Sequence, residues 1–283
     1  MVFAVRIWTI KIGEPLPVEG CHSRLFRNGL LSRVLSERGH EVTWWTSTFL
    51  HQEKRQLFEV DTAIPITDHF RVVALRTPGY SANISVQRVV DHVVMSRRFA
   101  RRVRLENPPD LIICAFPAIQ LTRAAIDYGK ALGVPTIVDV RDLWPDVFVH
   151  ALPSGLREIG SIPALAITRS VRRCMRNATA LTAMSHGCLE WALEHAARAQ
   201  SQWDWMFPLG YPELDVDARS VERAGASLRE KGVDSAKIIC WFLGMFGKQY
   251  DLSTVIAAAS ELERRDSHNV QFVLSGDGPA MPK

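Results

Sequence analysis

The sequence predicts an α/β protein built on parallel sheets, in two domains of which the second is incomplete. Three observations carry this. Short apolar runs alternate with helix-like segments, as residues 110–115 (DLIICA), 118–132 and 135–140 (PTIVDV) do in succession. The runs are nearly continuous rather than alternating in polarity, which marks strands buried on both faces of a parallel sheet with helices on either side. A stretch at 208–218 (PLGYPELDVDA) carries two prolines, a glycine and three acids, the composition of a linker. The 75 residues after Pro208 are too few for a closed α/β domain of ordinary size. The expected division is therefore a domain at 1–207, a linker at 208–218 and a partial domain at 219–283.

Residues 3–12 (FAVRIWTIKI) read as the first strand, and Trp8, like Trp44 and Trp45 later, reads as core. Residues 22–38 read as a helix, with Phe26, Leu30 and Val34 at four-residue spacing and Gly39 as its stop. Residues 41–46 (EVTWWT) and 71–75 (RVVAL) are the next strands. A long basic helix runs from about Ser85 to Glu106 and stops before Pro108-Pro109. After the units at 110–140, with Gly133 ending the helix between them, come a helix near 162–177, a strand at 179–184 and a helix N-capped by Ser185. Beyond the linker, 237–243 (KIICWFL) and 270–274 (VQFVL) read as strands flanking a helix from about Leu252 to Arg264.

No apolar run is long enough to span a bilayer, and the N-terminus lacks the pattern of a signal peptide, so a cytoplasmic protein is expected. The five cysteines (Cys21, Cys114, Cys174, Cys188 and Cys240) show no CxxC spacing and no His cluster accompanies them. That argues against zinc and for a reducing compartment, with Cys114 and Cys240 buried in their strands. Net charge is only +4, but Arg97, Arg98, Arg101, Arg102 and Arg104 fall close together, as do Arg169, Arg172, Arg173 and Arg176. Such clusters are either solvated helix faces or contacts to anionic lipid or phosphate. No nucleic-acid partner is expected.

Four motifs carry chemistry. RGHEVTWWTS (38–47) is a helix end, turn and strand, where His40 reads as a turn residue. VDVRDLWPD (138–146) leaves the carboxyl end of a strand, where open α/β sheets bind ligands. Its Asp139, Arg141, Asp142 and Asp146 either form an internal ion-pair network or face the cleft, and the position favours the cleft. FLGMFGKQYDLSTVIAAASEL (242–262) places Gly244, Gly247 and Lys248 between a strand and a helix start, where backbone amides and a cation suit a phosphate. LSGDGP (274–279) is a second strand-end turn, with Gly276 and Gly278. The loop 13–20, with Glu19 and Gly20, leads toward Arg24 and Arg27, for which cleft and solvent positions stay open.

Together the RGHEVT segment, Pro109-Asp110-Leu111-Ile112, the RDLWPD segment, Ala183-Met184-Ser185, Phe242 with Gly244, Asp251 and Ile256, and the GDGP turn occur in one order over nearly the whole chain. In this the sequence resembles glycosyltransferase family 4, in particular the members that build bacterial surface polysaccharide or O-antigen (lipopolysaccharide). The resemblance implies a GT-B fold: two Rossmann-like, doubly wound parallel-sheet domains, the second incomplete here. It implies a retaining, metal-independent transfer with no cofactor, from a nucleotide-sugar donor to a saccharide or lipid-linked acceptor, and peripheral contact with the inner membrane face. Arg141 and Asp142 would act at the transfer point. Gly244, Gly247, Lys248, Gly276 and Gly278 would hold the donor, and Glu19, Gly20 and Arg24 the acceptor. The chain departs from the family at Glu19-Gly20, where a Gly-Gly is usual, and at Met245, where an arginine is common. The family's Glu-x7-Glu donor motif would lie beyond Lys283, which implies weak donor binding by this chain. A nucleotide-sugar epimerase of the same architecture and an inactive acceptor-binding fragment are the rival readings. Arg141 and Asp142 are expected to face Gly244–Lys248, and Arg141→Ala is expected to reduce turnover without unfolding the protein.

Overall fold

The computed structural model describes residues 4–19, 24–147, 157–211, 216–247, 250–266 and 268–278. The chain divides into two compact units, Met1–Pro212 and Glu213–Lys283.

The first unit is built on β1 (Arg6–Ile10), β2 (Glu41–Ser47), β5 (Thr62–Thr67), β6 (Phe70–Leu75), β7 (Leu111–Phe116), β8 (Thr136–Val140), β9 (Ala180–Ala183) and β10 (Trp205–Met206). They form one eight-stranded sheet in the order β10-β9-β8-β7-β1-β2-β6-β5. Every pairing is parallel except β5 with β6, which is antiparallel and irregular between Pro65 and Thr67. The sequence reading did not anticipate β5. Pro65 removes a ladder donor, and only an edge strand accommodates that. Also unanticipated is a short hairpin, β3 (Phe49–Leu50) with β4 (Arg55–Gln56). It is too brief to leave a periodic pattern.

Helices α1 (Arg27–Glu37), α2 (Val86–Arg102), α3 (Ile119–Leu132), α4 (Arg157–Asn177) and α5 (His186–Ala196) complete the unit. The expected start of α1 near residue 22 gives way to Arg27, with Phe26 in extended conformation before it. Ser85 and Ser185 cap α2 and α5 by accepting the amides of Arg88 and Cys188. Gly133 ends α3 in the left-handed conformation, as read from the sequence.

Both sheet faces are covered, unequally. Met95 and Phe99 of α2 and Leu121 and Ala125 of α3 pack on Trp8, Ile10, Trp45, Ile112 and Cys114. Val171, Cys174 and Met175 of α4 and Leu189, Trp191 and Ala192 of α5 extend that layer over Val138, Val140 and Leu181. The other face carries α1 and a smaller cluster of Leu16, Val42, Trp44, Phe70 and Val72. Adjacent tryptophans serve opposite faces because strand side chains alternate. Trp45 meets Trp8 edge-on at 5.2 Å between centroids and Phe99 at 5.4 Å, while Tyr128 stacks on Trp8 at 5.3 Å.

The second unit holds α6 (Ala218–Glu230), β11 (Ile238–Leu243), α7 (Leu252–Arg264) and β12 (Val270–Ser275). β11 and β12 pair in parallel, with α7 as the crossover between them. α6 begins inside the stretch read as linker: Asp217 caps it, accepting the Ser220 amide at 2.7 Å. Cys114 is buried as expected, its thiol pushed up to about 12 by burial. Cys240 is exposed, against expectation, because β11 has β12 as its sole partner among the described residues. No helix among the described residues is long and apolar enough to cross a membrane.

Candidate active site

Four loops leave the carboxyl ends of adjacent strands of the first unit and meet over one edge of the sheet. They follow β1 (Lys11–Gly13), β2 (Ser47–His51), β7 (Pro117–Ala118) and β8 (Arg141–Trp144), and Tyr80, Arg88 and His92 close the space from the side of α2. The cleft they enclose measures about 260 Å³. The opposite, amino-terminal edge also has a hollow, of about 450 Å³. Its two arginines are each matched by a carboxylate, Arg6 by Glu41 and Arg71 by Glu106, and ligands of such sheets bind at the carboxyl edge.

A chain of alternating charges underlies the cleft. Arg27 grips Asp139 with two nitrogens, at 2.9 and 3.0 Å. Arg141 donates to Asp139 at 2.7 Å and to Glu14, whose carboxylate also accepts the amide of Asn28 at 3.0 Å in the first turn of α1. Thr182 donates to Asp139 at 2.9 Å. Burial works against the Asp139 charge, but the Arg141 charge and the Arg27 hydrogen bonds outweigh it and hold its carboxyl down at about 2. Asp139 thus belongs to the internal network that the sequence left open. Arg141 belongs to both: its side chain bridges two buried carboxylates and lines the cleft. Asp142 turns back on its own loop, accepting the Leu143 amide and the Trp144 indole N–H, each at 2.9 Å. Asp146 accepts the Trp191 indole at 2.7 Å and so ties the loop to α5.

The other wall is cationic and aromatic. His51 Nδ1 lies 2.7 Å from the Tyr80 hydroxyl and 3.2 Å from Lys54 Nζ. An ammonium can only donate, so Nδ1 accepts and the ring proton sits on Nε2. Burial, with the charges of Lys54, Arg88 and Lys11, pushes His51 down to about 4. Burial and the Arg88 and Lys11 charges bring His92 to about 4 as well. Both rings are neutral near pH 7. The Arg88 guanidinium stacks 4.8 Å from the Trp144 ring centre and 5.6 Å from that of Tyr80. Lys11 is held in place by its carbonyl, which accepts the Trp44 indole N–H at 2.9 Å. Its ammonium is lowered to about 8 by burial and by the Arg141 and Arg88 charges.

Of the residues read from the sequence, Arg141 and Asp142 line this cleft. Arg24 is exposed and lines a neighbouring hollow of about 310 Å³ that shares Lys11, Gly13 and Arg141. Glu19 is exposed and lines neither hollow. Gly20 and Lys248 lie outside the described residues. Gly244, Gly247, Gly276 and Gly278 sit together in the second unit, where the two strand-end loops pack back to back. Gly244 N donates to Ser275 O at 3.0 Å, Phe246 N to Asp277 O at 2.9 Å and Gly247 N to Met245 O at 3.0 Å. These amides are thereby engaged within the protein. A Cβ on Gly276 would lie 1.8 Å from the Gly244 carbonyl oxygen, so close loop packing alone demands that glycine. Asp251 caps α7, accepting the Thr254 amide at 3.3 Å.

Sequence reasoning missed Lys11, His51, Tyr80, Arg88 and His92. Lys11 carried one signal, a lysine directly after the first strand. The others stand far apart in sequence and are joined only by the topology.

A family model described as the glycosyl transferase 4-like domain matches residues 28–202, more than half of the chain and nearly all of the described first unit. The chain belongs to the glycosyl transferase 4-like family. Solved structures agree in fold for this glycosyltransferase. The catalytic domain of starch synthase IV from Arabidopsis thaliana, bound to ADP and acarbose, aligns over 98% of this chain and 69% of its own, with TM-score 0.59 and 13% identity. Arabidopsis thaliana UGT89C1, complexed with UDP-L-rhamnose, aligns over 97% of this chain and 70% of its own, with TM-score 0.50 and 14% identity. The architecture is that of the GT-B glycosyltransferases. No match was found among curated proteins.

Proposed function

We propose that the protein transfers a sugar, with retention of configuration and without a metal ion, from a nucleotide-sugar to a saccharide or lipid-linked saccharide in bacterial surface-polysaccharide synthesis. The observation that carries this reading is the cleft at the carboxyl edge of a glycosyl transferase 4-like domain, lined by Lys11, His51, Arg88, Arg141 and Asp142. The acceptor occupies that cleft, with Arg24 at its margin. The donor belongs to the strand-end loops of the second unit, around Gly244–Lys248 and Gly276–Gly278.

The transfer breaks a sugar–diphosphate bond, with positive charge growing on the sugar and negative charge on the leaving group. Lys248 and the positive end of α7 stabilise the leaving diphosphate. Arg141, fixed from behind by Glu14 and Asp139, orients the acceptor hydroxyl. The membrane is the source of a lipid-linked acceptor, and α2 supplies the contact. Arg98 and Arg102 are spent on Asp61 and Glu106, at 2.8 and 2.9 Å. Arg97, Arg101 and Arg104 are exposed with no carboxylate at ion-pair distance among the described residues. Each exposed basic residue contributes roughly 1 kcal/mol at an anionic surface.

The test incubates the chain with a panel of nucleotide-sugars and saccharide acceptors, in solution and on vesicles of anionic or neutral phospholipid. The expected result is acceptor-dependent release of nucleoside diphosphate. It is faster on anionic vesicles, loses that advantage at high salt, and gives a product of unchanged anomeric configuration. Epimerised nucleotide-sugar with no transfer product establishes the epimerase reading instead. Acceptor binding with no turnover of any donor establishes the inactive binding fragment.

A further inference from the structure

The electrostatics of the cleft are unbalanced in one direction. Among the described residues its carboxylates are all committed. Asp91 accepts the Gly79 amide at 2.7 Å, Asp142 is turned into its own loop, and Glu14 and Asp139 neutralise Arg141 and Arg27. Lys11 and Arg88 remain, with no carboxylate at ion-pair distance among the described residues. Arg88 spends Nη1 on the Asn83 carbonyl at 2.7 Å, while its buried Nε has no partner. An enclosed cation without a counter-charge is costly. Two of them on one small cleft, beside imidazoles that burial keeps uncharged, describe a site awaiting an anion of charge near −2.

We propose that the cleft binds a phosphate group on the acceptor, a monoester or a sugar-linked diphosphate, between Lys11 and Arg88, with His51 Nε2–H as a further donor. This rests on the reading that the first unit binds the acceptor. A phosphate carries about −1.5 to −2 at neutral pH and three strong acceptor oxygens, which balances both cations. A carboxylate leaves one of them unmatched. At about 260 Å³ the space is smaller than that of most whole-ligand pockets, roughly 300–1,000 Å³. It therefore suits one charged group and the ring attached to it rather than a nucleotide. The Trp144 and Tyr80 rings on which Arg88 lies hold the guanidinium ready for the oxygens.

Calorimetric titration of the full chain tests this with a hexose phosphate, the corresponding neutral hexose and a nucleoside diphosphate. Flotation tests it with neutral phosphatidylcholine vesicles, with and without a polyprenyl diphosphate sugar. Phosphate-bearing ligand is expected to bind at least about tenfold more tightly than the neutral sugar, and Lys11→Met and Arg88→Gln are each expected to lose about tenfold. Arg219→Gln, exposed on α6 of the second unit, is expected to lose nothing. Binding of the free hexose phosphate identifies a soluble acceptor, and binding confined to the loaded vesicles a lipid-linked one. Far-UV circular dichroism confirms that each variant is folded, and Arg88→Gln serves alone if Lys11→Met is not. Equal affinity for neutral and phosphorylated sugar, or wild-type affinity in the folded variants, overturns the proposal. So does a loss confined to the nucleoside diphosphate, because the cations would then serve the donor. Absence of nucleotide-sugar turnover in the separate transfer assay sinks the transferase reading and leaves this result standing.

Discussion

Asp139 concentrates the chemistry of single residues in this protein. It is buried, yet ionised, because two guanidinium groups and the Thr182 hydroxyl surround it. Its folded value near 2 lies below the 3.8 of an unperturbed aspartate. The stability it supplies is therefore fully present above pH ~4 and lost as pH falls toward 2, about 2 kcal/mol in all. His92 acts in an earlier window. Its folded value is lowered from 6.5 to about 4, so the unfolded chain binds the extra proton between those limits and stability is lost as pH falls through them. Urea unfolding across pH should show a two-stage loss, first between pH 6.5 and 4 and then below 4. Asp139→Asn should shrink the second stage, to which Asp204 also contributes because its burial is outweighed by hydrogen bonds from Arg198 and Ser201 that hold its carboxyl low, and should lower stability at pH 7 by about 3–5 kcal/mol, as breaking a buried ion pair does. An unchanged acid limb in Asp139→Asn contradicts this account. The same logic changes what is expected of Arg141→Ala. Because Arg141 bridges Glu14 and Asp139, the substitution weakens the fold as well as the cleft. The sequence placed Arg141 at a strand end, but its two carboxylate partners come from residue 14 and from its own strand, and only the first of these needs the tertiary fold. Lys11, His51 and Arg88 were illegible for the same reason, since nothing local in their segments links them.

At the scale of elements, what was legible was what has a local cause. The approximate span of α7, Leu252–Arg264, is legible in the sequence because Asp251 caps it and its apolar spacing is helical. α3 and α5 were read from Gly133 and Ser185. The misses have local causes too. Pro65 disguised β5, and the prolines and acids ahead of α6 concealed a helix whose cap, Asp217, was counted as linker. The glycine loops of the second unit were legible in place and not in reason. Read as a phosphate cradle, they are first a packing device. A methyl group on Gly276 would meet the Gly244 carbonyl oxygen at 1.8 Å, whereas one on Gly244 meets only the Phe242 ring, at 3.2 Å. Gly276→Ala should therefore destabilise the second unit by about 1–3 kcal/mol, and Gly244→Ala by clearly less. Thermal unfolding followed by the fluorescence of Trp241 in β11 would rank them, and the reverse order would contradict the packing account.

For the whole molecule, the parallel sheet gathers into one cleft residues that lie between positions 11 and 144 of the sequence, because every strand that contributes a loop points the same way. Family membership rests on the unit that holds this cleft, and the central claim is that the acceptor binds there. Imidazole ¹⁵N correlation spectra of the full chain, recorded during titration with neutral and phosphorylated saccharides, test it most directly. His51 and His92 line the cleft, while His69 lines the hollow at the opposite edge of the same sheet. The account predicts that at least one saccharide shifts His51 and His92 saturably and leaves His69 unmoved. Shifts at His69 alone, or no response of His51 and His92 to any saccharide, would contradict it.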